Sequence, residues 1–62
     1  MTRKQQKQIE EMCRGAKSVE VGTEKYIVGD VCDMPNGKID QLHLESNVAF
    51  WLFKGTKFKI NK

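Results

Sequence analysis

Apolar and polar positions along the chain follow two different periods. Ile9, Met12, Cys13 and Ala16 recur at i, i+3, i+4 and i+7. That is the narrow stripe of a helix with one side on a core. Thr2 followed by Gln5 matches a capping box, in which each side chain satisfies an orphan backbone donor of the other residue. Gly15 stands where a left-handed residue closes a helix. The spacing predicts a helix over 2–14, within an N-terminal helical segment 1–16.

From Ser18 onward the period is two, as in strands. Val19 and Val21 point one way, Ser18 and Glu20 the other, and 22–25 reads as a turn. Tyr26 to Asp33 reads as a second strand, with Gly29 in its middle as a bulge or bend. Met34-Pro35-Asn36-Gly37 is the strongest turn signal: Pro presets φ, Asn tolerates the second position and Gly supplies φ > 0. Lys38 to Glu45 reads as a third strand with Leu42 and Leu44 inward, followed by a turn at Ser46-Asn47.

Val48-Ala49-Phe50-Trp51-Leu52-Phe53 is the one long unbroken apolar run. It is far shorter than the roughly 20 residues of a membrane span, and its aromatic and β-branched content predicts a strand. On a strand, Ala49, Trp51 and Phe53 share one side and Val48, Phe50 and Leu52 the other. After a Gly55-Thr56 turn, Lys57-Phe58-Lys59-Ile60 alternates as a last strand. The expected fold class is α+β: an N-terminal helix, then about five short antiparallel strands over 18–61, forming a curled sheet or small barrel. The 62 residues allow one domain, 1–62. So short a chain has little material to cover both sides of the apolar ribbon.

Charge is unevenly spread. Residues 1–17 carry Arg3, Lys4, Lys7, Arg14 and Lys17 against Glu10 and Glu11, a net of +3. Residues 18–45 carry Lys25 and Lys38 against six acids, a net of −4. Residues 46–62 carry Lys54, Lys57, Lys59 and Lys62 and no acid, a net of +4. Basic ends around an acidic middle suit a polyanion-binding surface, or neutralise one another across neighbouring strands.

No motif points to catalysis. His43, the single histidine, falls on the outer parity of a strand, and Asp30, Asp33 and Asp40 flank a turn as carboxylates commonly do. Cys13, Cys32 and His43 match no paired metal-ligand spacing, so neither metal nor cofactor is expected. The charged, polar N-terminus lacks the apolar stretch of a secretory leader. The expected compartment is therefore the cytoplasm, or a host cytoplasm for a viral gene, with both thiols reduced.

What does stand out is the basic C-terminal segment beside aromatics. Lys54, Lys57 and Lys59 near Trp51 and Phe53, helped by Arg3, Lys4 and Lys7, combine charge for phosphate with rings for stacking. Single-stranded nucleic acid wants that combination. The bland account is that the lysines guard an edge strand and the rings are core. The second functional account is a larger protein partner, docked on an apolar sheet face by a small phage-type regulator or inhibitor. Self-association into a homo-oligomer is a further route.

The helix through Arg14, the Ser18–Val21 strand and Tyr26-Ile27-Val28-Gly29-Asp30-Val31 resemble, in their order, the Sm-like and Hfq-like RNA-binding barrels. That resemblance implies a ring oligomer on RNA. Met34-Pro35-Asn36-Gly37 occupies the region of the family's Asp and Asn positions, so no functional residue carries over.

Overall fold

The computed structural model describes residues 2–62. The expected helical segment 1–16 starts at Met1, which lies outside them. The order of elements is α1 (Arg3–Cys13), β1 (Ser18–Val21), β2 (Glu24–Gly29), a 3₁₀ turn (Met34–Asn36), β3 (Lys38–Asp40), α2 (Gln41–Lys54) and β4 (Phe58–Asn61). The class is α+β. Two helices join a four-stranded sheet of order β3-β2-β1-β4. β1 pairs antiparallel with both β2 and β4, while β3 runs parallel to β2.

α1 forms as its sequence dictates. Thr2 Oγ1 accepts from the Gln5 amide at 3.2 Å and Gln5 Oε1 accepts from the Thr2 amide at 3.1 Å, closing the capping box. Ile9 and Cys13, one turn apart, are the buried residues of α1. Gly15 follows the helix at φ 73°, a left-handed value that favours glycine.

Three expectations about the β region need correction. The first concerns the apolar run, which lies inside α2 and not on a strand. Asp40 caps that helix by accepting from the His43 amide at 2.7 Å. Gly55 ends it at φ 76°, donating to the Trp51 carbonyl. Leu44, Val48 and Trp51, at i, i+4 and i+7, are its buried stripe. A run that is apolar all round carries no period of its own. Its phase comes from Leu44, four residues before it, and its limits from the two caps.

The second correction is to the strand count. Only Lys38–Asp40 of the expected third strand is extended, and α2 interrupts the expected meander. Four strands therefore form in place of about five. One pairing is parallel, and the sheet is open rather than closed into a barrel. The third is local. Gly29 ends β2 instead of bending it. Past it, the Met34–Gly37 turn closes on a two-way backbone pair between Asp33 and Lys38, both bonds 2.9 Å.

Register places Val19, Val21, Tyr26, Val28, Ile39, Phe58 and Ile60 on the side that meets the helices. Val19, Ile39, Leu44, Val48 and Cys13 are the largest fully buried side chains. Glu20, Lys25, Ile27, Lys38 and Lys59 share the opposite side.

This geometry separates two leucines that a strand would place together. Leu44 is fully buried and Leu42 is 72% exposed. Leu44→Ala should cost about 2–5 kcal/mol in urea unfolding. Leu42→Ala should stay within about 0.5 kcal/mol. Equal losses would restore the strand assignment.

Candidate functional site

Covering one stripe of α2 leaves its other apolar residues facing out. Residues two apart on a helix point about 200° apart, so Trp51 and Phe53, expected to be neighbours, face opposite ways. Trp51 is 8% exposed and Phe53 is 85% exposed. The Trp51 ring packs on Phe58, with centroids 5.5 Å apart and planes at 41°. Leu42, Phe50 and Leu52 are also exposed, and Met12 of α1 is at the margin.

α1 lies against α2, and two open clefts share Ile9 and Ala49. These residues mark the line of contact between the helices, and the small Ala49 allows close approach. The first cleft, of about 500 Å³, is lined by Gln5, Gln8, Met12, Leu52 and Phe53 besides the shared pair. The second, of about 310 Å³, is lined by Gln6, Glu10, Leu42, Glu45 and Ser46 besides that pair. The first holds no charged side chain and the second holds two carboxylates. Met12, Leu52 and Phe53 at one cleft, with Leu42 at the next, mark an interaction surface more than a structural need, although Ile27 and Val31 are exposed elsewhere.

The basic residues named from the sequence are not gathered on one sheet face. Lys54, in the last turn of α2, lies over the Phe50 ring with its Nζ 5.8 Å from the centroid. Lys57 sits in the connection to β4. Lys59 is on the sheet side away from the helices, in register with Glu20. Arg3, Lys4 and Lys7 are exposed on α1, Lys4 and Lys7 on the side away from Ile9 and Cys13 and Arg3 on the flank in line with Glu10. Thus Lys54 and Phe50 come together, Phe53 lines a cleft that includes neither, and Trp51 and Lys59 are separated from them.

Leu42 and Met12, which the sequence reads as facing a core, are exposed instead, and Leu52 and Phe50 are not among the site residues the sequence suggests. Their signal is helical: Leu42, Ala49 and Phe53 follow one line at i, i+7 and i+11 once 41–54 is wound at 3.6 residues per turn.

Two polar details bear on chemistry. His43 Nδ1 lies 2.8 Å from Asp40 Oδ1, an exposed pair at the start of α2. Asp40 is occupied in capping. The His43 backbone amide, then its side chain, hold the Asp40 carboxyl below its ordinary value. Cys13 is fully buried beneath the helices. Burial first, then nearby Glu45, push its thiol up to about 11, with Lys62 opposing. A thiol so protonated is a poor nucleophile near neutral pH. Cys32 is half-buried, and both thiols are free. Among the described residues, no group of three or more His, Cys, Asp or Glu is placed to hold a metal ion, and no helix is long and apolar enough to cross a membrane.

Comparison with known protein families, curated proteins and solved structures finds no match.

The Asp40 cap carries a pH signature. A carboxyl held low in the folded state contributes stability above its unfolded value and loses it as pH falls through the folded one. Thermal melts should therefore show an acid arm that Asp40→Asn flattens while keeping the cap. Asp40→Ala should lower stability at neutral pH as well. An unchanged acid arm in Asp40→Asn would assign the dependence to other carboxyls.

Proposed function

We propose that the chain is a non-enzymatic binding protein that works by protein–protein contact through the outer side of α1 and α2. The observation that carries this reading is Phe53, almost fully exposed at the mouth of an uncharged cleft of about 500 Å³. Leu52 and Met12 line the same cleft and Leu42 lines its neighbour, while Phe50 is exposed on a different side of α2. An exposed aromatic beside an apolar hollow offers both a knob and a hole. Aromatic anchors of that kind dominate interface energetics. A larger protein partner is the second account from the sequence, after nucleic acid; it is put first here, with the helical side in place of the sheet face.

A second reading keeps nucleic acid as the ligand. Its support is the exposed Lys54–Phe50 pair in a segment that has no acid from residue 46 to the end. Charge beside a free ring suits a single strand, and the ring oligomer implied by the Sm-like resemblance is one form of this reading.

The two readings separate experimentally. For protein contact, Phe53→Ala should weaken the partner's binding about 30-fold or more in a titration, an anchor-sized loss. Lys57→Ala should leave it nearly unchanged. For nucleic acid, single-stranded RNA or DNA should bind with an affinity that falls steeply with salt, and Lys54→Ala should flatten the slope. Salt-independent or absent binding to both nucleic acids removes the second reading. A Phe53→Ala variant that binds its protein partner as wild type does removes the first.

A further inference from the structure

We propose that α2 holds residues 48–53 as a caged strand, and that opening the helix lets this segment stack with the same segment of other copies into cross-β fibres. The proposal stands on a conflict between what the run favours locally and what the fold imposes on it.

Locally the run suits cross-strand stacking. Val48-Ala49-Phe50-Trp51-Leu52-Phe53 carries no charge, no glycine and no proline. Uncharged, strand-favouring segments of about this length form dry zippers between stacked sheets. Extended, the run presents Val48, Phe50 and Leu52 on one side and Ala49, Trp51 and Phe53 on the other. Both sides are apolar, so copies laid in register gain contact on both. Its Val, Phe and Trp residues rank below Ala and Lys in helices and above them in strands. Elsewhere the chain breaks its apolar runs sooner: Tyr26-Ile27-Val28 ends at Gly29, and Lys59 interrupts β4.

The fold overrides that preference with two caps and one buried stripe. At one end Asp40 Oδ1 accepts from the His43 amide at 2.7 Å. At the other, the Gly55 and Thr56 amides both donate to the Trp51 carbonyl. Between the caps the amides of 48–53 bond within the helix, so they offer no free edge to another chain. Val48 and Trp51 are buried, whereas Phe50, Leu52 and Phe53 are exposed and add little to holding the helix. Opening α2 therefore releases a segment whose own preference is for a strand, a conflict between local and global structure. Lys54 guards one flank of the run, and the other flank is the uncharged Asn47.

The test is incubation of the full chain in reductant at the midpoint of its thermal unfolding, followed by thioflavin T emission and fibre diffraction. Wild type should form fibres with reflections at about 4.8 Å along the axis and about 10 Å across it. Limited proteolysis with mass spectrometry should leave 48–53 in the protected core. Phe50→Glu adds a charge to the run at an exposed position, where it pairs with Lys54 four residues on and keeps the helix. Held at its own midpoint, so that the same fraction is open, it should form fibres about tenfold more slowly or not at all. Ile27→Glu puts the same charge on an exposed residue of β2 and should form fibres at the wild-type rate. Asp40→Ala, lacking the cap, should shorten the lag at a fixed temperature below the wild-type midpoint. A wild type that unfolds without forming fibres overturns the proposal. So does a protected core that omits 48–53, a Phe50→Glu variant as fast as wild type, or an Ile27→Glu variant slowed as much. An unchanged lag in Asp40→Ala overturns the caging role of α2.

Discussion

The packing of Leu44, Val48 and Trp51 onto the sheet is the contact on which the rest of the molecule depends. These residues meet Val19 and Ile39 across the two layers, and Ile9 and Cys13 of α1 join the same cluster. α1 alone cannot hold a fold: its apolar stripe is narrow and most of its surface is charged or amide. The strands are three to six residues long, too short to be stable without an apolar cover. α2 supplies that cover, and its two caps fix which residues face inward. Asp40 ends β3 and starts α2, so strand and helix phases are locked at one residue.

That lock has a consequence on the far side. A helix in a two-layer domain buries one stripe and leaves the remainder to solvent. The α2 sequence is apolar well beyond its stripe, so Phe50, Leu52 and Phe53 cannot also be buried by this sheet. Turning Phe53 inward would rotate Trp51 out and break its contact with Phe58. The exposed surface therefore follows from choosing Trp51 as the buried ring. Met12, Leu42, Leu52 and Phe53 sit at clefts that can receive similar groups, whereas Ile27 and Val31 are exposed on and just after β2.

How much of this was legible follows from where local signals were unambiguous. The capping box and the Ser18–Val21 strand have clear punctuation and appear as read; of the Ile9, Met12, Cys13 and Ala16 stripe only Ile9 and Cys13 are buried within α1, and the last strand forms one residue later, at Phe58–Asn61. The run 48–53 has no polar residue to reveal its period, and its β-branched and aromatic types favour a strand locally. What decides for a helix is outside the run. Asp40 with a free amide three residues on, and Gly55 at the far end, set 14 residues between two caps. Alternation in Lys38–Glu45 misled for the same reason: Leu42 and Leu44 share a parity on a strand but lie about 200° apart on a helix. The shortage of covering material was legible, and the exposed side of α2 is its expression. Which side would be left open was not, because that depends on the helical phase.

Electrostatics shapes this surface more than it stabilises the fold. The acidic middle of the chain is divided between both layers. Glu20 lies in register with Lys25 and Lys59 on the outer sheet side, and Asn61 donates to its carboxylate at 3.1 Å. Exposed pairs of this kind contribute little to stability and are screened by salt. Glu10 and Glu45 are different because they stand at an apolar cleft, where contact with a partner would remove water and strengthen any charge they meet. Glu45 also acts inward, helping Cys13 to remain a neutral thiol under the same helix pair. Glu45 thus lines the open cleft and also bears on the buried thiol, where burial is the larger cause.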